Sequence, residues 1–333
     1  VVLGKDADYY TQTAESIKNA INEKYFDAVN ASYGTSQTAN ALPLYLGIVP
    51  EGYEKSVARH IAENAQNNGF HLTAGEVGLK PVFNMLSEYG YSDYAYKMIM
   101  NETSPSYYYF VANGKTTLPE IWDGGASQDH CMAGHGGGWL YEYLGGIRNG
   151  SVAYKDIIIE PHIAEELTHF EAKVDTAYGE VLSQWEKENE VLTMNVIIPA
   201  NTTAKVYFKA KNPIKVKENG VLLADVDGVE NVYIEDEKVV ALVGSGSYTF
   251  TMPVVTKVKQ SEIKVNTLAT AHGGSNPEYA TDGDVNTYFI IADQSESEYE
   301  NQYVQFELNG TDVVKRIVVK KTKVSVGGNT TYW

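Results

Sequence analysis

The chain has 333 residues, 43% of them hydrophobic, which is enough material for two or three packed domains. Against 43 acids stand only 26 Lys and Arg, and the formal charge of -17 repels nucleic acid and anionic membranes while favouring a neutral or cationic partner. No apolar run approaches the roughly 20 residues that span a bilayer, the start at Val1-Val2-Leu3 lacks a signal peptide's apolar core, and a lone Cys131 rules out an intrachain disulfide and a cysteine-based zinc site.

The chain therefore reads as soluble, with its compartment open and an extracytoplasmic bacterial setting among the choices. Tyrosine is abundant, at 25 copies, and such rings suit carbohydrate, whose C-H faces stack on aromatics while hydroxyls find polar partners.

From Asp6 to about Ile147 apolar residues recur at three and four spacing, which predicts about six helices. Ala14, Ile17, Ala20, Ile21 and Tyr25 form one stripe, Ala39, Leu42 and Tyr45 a second, and Val57, Ile61 and Ala62 a third. Further helices are expected near Leu79 to Tyr89, Asp93 to Met100 and Met132 to Leu144, stopped by Gly69, Gly90 and Gly145. Within this region the window from Asn113 to Trp139 crowds Glu120, Asp123, Asp129, His130, His135, Trp122 and Trp139 into a glycine-laden loop. Glu120 lies between Pro119 and Ile121-Trp122, so its carboxyl group is expected beside apolar surface, where desolvation raises a carboxyl toward a general acid or base; the other reading is an ordinary surface acid. The glycines at 136 to 138 lack a following Lys-Ser/Thr and form no phosphate loop.

After Gly150 the period changes to that of strands, as in Asp156 to Glu160, Val191 to Ile198 and Ala204 to Ala210, with turns at Asn212-Pro213, Asn219-Gly220 and Asp227-Gly228. An antiparallel β-sandwich is expected over residues 151–253. Residues 254–333 form a third region with a turn at Ala280 to Tyr288 and strand-like Tyr303 to Leu308 and Arg316 to Lys320; it is short for a complete sandwich, and Tyr332-Trp333 gives no closing strand.

Several landmarks resemble, in order, glycoside hydrolase family 78, the α-L-rhamnosidases. These are Tyr33-Gly-Thr-Ser-Gln-Thr-Ala-Asn-Ala-Leu-Pro-Leu-Tyr-Leu-Gly-Ile-Val-Pro50, His71-Leu-Thr-Ala-Gly-Glu-Val-Gly78, Gly114-Lys-Thr-Thr-Leu-Pro-Glu-Ile-Trp-Asp123 and Ser127-Gln-Asp-His130 before Gly134 and Trp139. Ile159-Glu-Pro-His162 and Ile198-Pro-Ala-Asn-Thr-Thr-Ala204 resemble that family's C-terminal sandwich, and the likeness runs from about Tyr9 to Met252. The resemblance implies the C-terminal half of an (α/α)6 toroid over residues 1–150, with its N-terminal half absent, and hydrolysis of terminal α-L-rhamnose with inversion. It implies that Glu120 is the general base, and that the general acid lies on an earlier segment of the same polypeptide, before Val1. Glu76 and Asp123, the alternative acids on this chain, match no motif for that role. His130 matches a histidine that contacts the sugar, and Trp122 an aromatic beside the base that walls the pocket or packs into the core. His71 and Thr73 sit in a loop facing the same side in the family, with buried structural roles as the other reading, and Asp123, close in sequence to Glu120, is expected among the substrate-binding residues, orienting its neighbours. Gly138 departs from the glutamate that relatives carry before the tryptophan matched by Trp139.

Residues 254–333 resemble the start of a discoidin, or F5/8 type C, carbohydrate-binding module, through Glu278-Tyr-Ala-Thr-Asp-Gly-Asp-Val-Asn-Thr287 and Tyr303 to Leu308. That resemblance implies a structural calcium ion with Asp282, Asp284 or Thr287 among its oxygen ligands, and a plain Asp-Gly turn accounts for the same letters. Catalysis itself is expected to need no cofactor, and the expected partner is a rhamnose-containing carbohydrate. Two other readings stay open: a non-catalytic carbohydrate-binding or scaffold protein, and a related toroid glycosidase or polysaccharide lyase of other specificity.

Overall fold

Apolar residues at helical spacing and Gly-Pro punctuation yield helices between Asp8 and Leu144, and alternating β-branched residues yield strands from Ile147 to Pro253. The computed structural model describes residues 7–210, 212–236 and 238–254, and beyond them only the strand segments 263–267, 304–308, 323–326 and 329–332. Two compact units result, Val1–Val254 and Val255–Trp333.

In the first unit α2 (Gln37–Tyr45), α3 (Glu54–Asn67), α4 (Glu76–Glu88) and α5 (Ser92–Ile99) share one core. Val57, Ile61 and Ala62 face it as their spacing predicts. The face expected for α2 is corrected: Ala39 and Leu42 are half-buried and Tyr45 is exposed, while Gln37 and Asn40 are buried. Both amides are buried because they serve as backbone staples. Gln37 donates to the His71 carbonyl and accepts from the Thr73 N–H, and Asn40 accepts from Tyr33 N–H while donating to Gly34 O. The stripe of α1 (Asp8–Tyr25) is corrected too, since that helix has no buried residue and shows Tyr9, Tyr10, Ile17 and Tyr25 to solvent. One short helix was not expected: α6 (Tyr107–Ala112), whose first turn is capped by the Ser106 hydroxyl at 3.1 Å from Tyr109 N.

The last helical stretch changes pitch along its length. A 3-10 turn at Cys131–Gly134 leads into α7 (His135–Trp139), which widens to a π turn over Leu140–Leu144, closed by Gly145 N–H to Leu140 O at 2.8 Å. The chain reverses at Gly146 and not Gly145. Its φ is +69°, and a Cβ there would lie 2.1 Å from Pro161 N.

Eleven strands follow: β1 (Ile147–Asn149), β2 (Asp156–Ile159), β3 (His169–Thr176), β4 (Gly179–Glu188), β5 (Val191–Ile198), β6 (Thr203–Phe208), β7 (Lys217–Glu218), β8 (Val221–Leu222), β9 (Val229–Glu235), β10 (Lys238–Val243) and β11 (Gly246–Pro253). One sheet runs β1-β2-β6-β10-β9, the other β3-β4-β5-β11-β7-β8. Their alternating inner residues make a second core, with Phe208 of one sheet edge-on to Phe250 of the other at 5.0 Å. An all-antiparallel sandwich is corrected at one pair. β2 and β6 run parallel because β3, β4 and β5 intervene in the opposite sheet before the chain returns.

In the second unit, β12 (Ile263–Thr267) pairs antiparallel with β13 (Val304–Leu308), and β14 (Lys323–Val326) with β15 (Asn329–Tyr332). β15 thus reaches Tyr332 as one strand of a separate two-stranded hairpin. The turn bearing Asp282, Asp284 and Thr287 and the strand expected at Arg316 to Lys320 lie outside the described residues.

Where the helices meet the sandwich, Arg148 of β1 lies between Glu88 of α4, at 3.4 Å, and Glu160, which Lys238 of β10 also pairs. Its guanidinium lies over the Tyr143 ring, and Tyr143 donates to Glu88 at 2.8 Å. Burial first, then the Glu88 charge, pushes the Tyr143 phenol far up, so it stays a neutral donor. Arg148 is about a quarter exposed, between the regimes of surface and buried pairs. Arg148→Ala is expected to lower the stability of this unit by about 1–2 kcal/mol. A urea midpoint equal to that of the parent would show that the clamp contributes nothing.

Candidate active site

The window rich in acids and aromatics folds as a closed loop from Leu118 to His130. Two backbone rungs tie it, Glu120 N–H to Ser127 O at 2.8 Å and His130 N–H to Leu118 O at 3.0 Å. Asp123 Oδ1 accepts from Gly125 N–H at 2.7 Å, and Lys115 Nζ reaches Gly124 O at 3.3 Å. A closed turn of this kind fixes what its side chains present.

Trp122 pins the loop to the helices. Its ring stacks on Phe110 at 5.6 Å and 11°, meets Tyr107 edge-on at 5.4 Å, and its N–H donates to Ala74 O at 3.2 Å. Ser104 Oγ donates to the Trp122 carbonyl at 2.7 Å. Of the two readings for Trp122, the geometry gives the packing one its contacts. Tyr107, its phenol pushed up to about 12 by burial, packs directly on Gly136, where a Cβ would come within 2.8 Å of the ring. That gives the first of the three consecutive glycines a steric purpose, while Gly137 and Gly138 meet nothing within 4 Å.

Glu120 does not sit against an apolar wall. Its side chain is 43% exposed, and Glu120 Oε2 accepts from Ser127 N–H at 3.2 Å. The neighbour Ile121 points outward as well, because Trp122 takes the inward position in this turn. On one side Glu120 Oε2 stands 3.9 Å from His130 Nδ1, and beyond the ring Glu76 Oε2 stands 3.8 Å from His130 Nε2. The imidazole is thus flanked by two carboxylates. His130 Nε2 is buried and has no hydrogen-bond partner among the described residues. Glu76 opens α4 just after Gly75, and a helix N-terminus favours its carboxylate.

The structure therefore brings together Glu120, His130 and Trp122 on one loop, with Asp123 in its turn. His71 is engaged elsewhere: Nδ1 lies 2.7 Å from Asn68 O and Nε2 2.8 Å from Thr103 Oγ1, which ties two connecting segments. Sequence reasoning passed over the contact of Glu76 with His130. Its signal was the place of Glu76 inside the His71 to Gly78 motif. Among the described residues no group of three or more His, Cys, Asp or Glu could hold a metal ion, and no helix is long and apolar enough to cross a membrane.

Residues 2–144 match the bacterial alpha-L-rhamnosidase 6 hairpin glycosidase domain, and residues 146–222 the bacterial alpha-L-rhamnosidase C-terminal domain. An alpha-L-rhamnosidase of Streptomyces avermitilis is 30% identical over 262 residues, which are 75% of this chain and 25% of that protein. One from Formosa agariphila is 30% identical over 263 residues, 75% of this chain and 28% of its own length. The crystal structure of the Streptomyces avermitilis enzyme complexed with L-rhamnose aligns with a TM-score of 0.69 at 29% identity, over 75% of this chain and 25% of that one. The alpha-L-rhamnosidase structure from Dictyoglumus thermophilum aligns at 0.68 and 35% identity, over 76% of this chain and 30% of its own. The chain spans about a quarter of the length of the curated relatives it matches.

Proposed function

Because the chain belongs to the bacterial α-L-rhamnosidase family through both matched domains, we propose that it is the C-terminal catalytic portion of an enzyme removing terminal α-L-rhamnose from glycans or glycosides with inversion, and that Glu120 is its general base. The observation that carries this reading is the geometry of Glu120. Its carboxylate is held by a closed loop and one N–H, stays open to water, and stands beside an imidazole. A base needs that combination of fixed position and water access. Glu120 would take a proton from the water that attacks the anomeric carbon, and the proton would pass to solvent.

An inverting displacement also needs a proton-donating carboxyl about 6.5–9.5 Å from the base. On this reading that acid and the remaining hairpins of the toroid lie on an earlier part of the same polypeptide. The outward side of α1, which shows Tyr9, Tyr10, Ile17 and Tyr25 to solvent, is where those hairpins would pack. His130 would contact the sugar from the loop, and Trp122, packed on Phe110 and Tyr107, would back the wall beside it. Asp123 and His71, already hydrogen-bonded within the protein, would hold the pocket's walls in shape. The proposed division is residues 1–150 as half-toroid, 151–253 as sandwich and 254–333 as a discoidin-like module with its calcium ligands at Asp282, Asp284 and Thr287. The acid and base steps are proton transfers between carboxyl groups, water and sugar, so the proposal calls on no catalytic cofactor.

The test is proton NMR of the full-length polypeptide acting on an aryl α-L-rhamnoside. β-L-rhamnose is expected as the first-formed anomer, and α-L-rhamnose first would overturn the inverting assignment. The 333-residue chain alone is expected to show no turnover, because one carboxylate cannot serve both faces of the bond. Turnover by that chain would place the acid within these residues.

A further inference from the structure

We propose that Glu76 is a positioning residue, which acts through the His130 ring to set how Glu120 and its water are presented. The inference rests on the reading of Glu120 as base. A neutral imidazole carries one N–H and one lone pair, and what each nitrogen faces decides which is which. His130 Nε2 is buried, lacks a hydrogen-bond partner among the described residues, and has Glu76 Oε2 at 3.8 Å. Glu120 stands almost as far from Nδ1, at 3.9 Å, and what separates the two edges is burial: at the buried Nε2 a lone pair would face a carboxylate with no water to relieve it, whereas an N–H there faces it with favourable sign. Glu76 thus selects the Nε2–H tautomer.

The consequence falls on the other edge of the ring. Nδ1 then presents a lone pair 3.9 Å from Glu120 Oε2, too far for a direct hydrogen bond and spaced for one water to donate a hydrogen to each. A water so held has both hydrogens engaged by acceptors, and its own lone pairs are left for the anomeric carbon. Without Glu76 the preference reverses. Nδ1–H would turn to the Glu120 carboxylate, occupying the oxygen that has to receive the proton.

Glu76 is half exposed, so replacing it leaves the core untouched. In the full-length polypeptide Glu76→Leu is expected to lower kcat on an aryl α-L-rhamnoside by on the order of 10–100-fold, the size of other outer orienting contacts, with KM within about twofold. Glu76→Asp should recover part of the loss. On the full-length polypeptide carrying 15N-labelled histidine, ring 15N shifts of His130, assigned with His130→Gln, should report Nε2–H in the parent and Nδ1–H in Glu76→Leu. An unchanged tautomer, or an unchanged kcat, would overturn the role of Glu76. Turnover retained by Glu120→Gln would instead overturn the base assignment, and the tautomer result separates the two failures.

Discussion

Glu120→Gln in the full-length polypeptide is expected to cut kcat by about 10²–10⁴-fold, the range a positioned general base contributes, with KM changed only a few fold. The substitution is nearly isosteric. Its amide oxygen can still accept from Ser127 N–H, and the backbone rungs of the loop, Glu120 to Ser127 and His130 to Leu118, do not involve the side chain at all. What disappears is the capacity to take a proton from water, so the loss belongs to the chemical step. Turnover of an aryl α-L-rhamnoside gives the rate, and calorimetry with rhamnose shows whether binding survives. Turnover within tenfold of the parent would sink the assignment of Glu120.

The largest expected effect on stability lies far from that loop, at Trp185 of β4. Its ring is fully buried, stacks on Phe170 at 6.4 Å, and its N–H donates to the Leu144 carbonyl at 2.8 Å, across the seam between helices and sandwich. Trp185→Ala leaves a cavity in a close-packed interior and is expected to lower stability by about 3–5 kcal/mol, and the Leu144 carbonyl loses its partner as well. Trp185→Phe keeps most of the ring and loses the N–H, and should cost about 1 kcal/mol. Denaturant midpoints of the first unit check both, and equal midpoints for the two variants would mean that packing at this seam contributes little.

Legibility in the sequence followed the physics of each segment. Val57, Ile61 and Ala62 were readable because an apolar stripe at helical spacing buries itself. Gln37 and Asn40 were not, since buried amides satisfied by distant backbone look like surface residues in one dimension. The α1 stripe was readable as a helix, while its exposure depends on what else packs there. α6 escaped because Tyr107 to Phe110 is an aromatic run too short to show a period. In the sandwich, β2, β5 and β6 were visible as alternating runs, and the parallel pairing of β2 with β6 depends on the path of three intervening strands. Around the candidate site, Glu120, Trp122 and His130 stand in one window and were found together. Glu76 is distant in sequence, and only folding brings it to His130 Nε2.

The π turn at Leu140–Leu144 works as a counting device. Its closure from Gly145 back to Leu140 takes one residue more than an α turn. Deleting a single residue there would restore ordinary helix and swing all that follows by about 100°. Gly145, whose Cβ position lies 2.4 Å from Ala172 Cβ, would leave its niche, and the Leu144 carbonyl would turn from Trp185. A chimaera that exchanges sandwiches between relatives therefore has to keep this stretch at its native length, with the splice placed after Gly146, however well the two sequences align on either side.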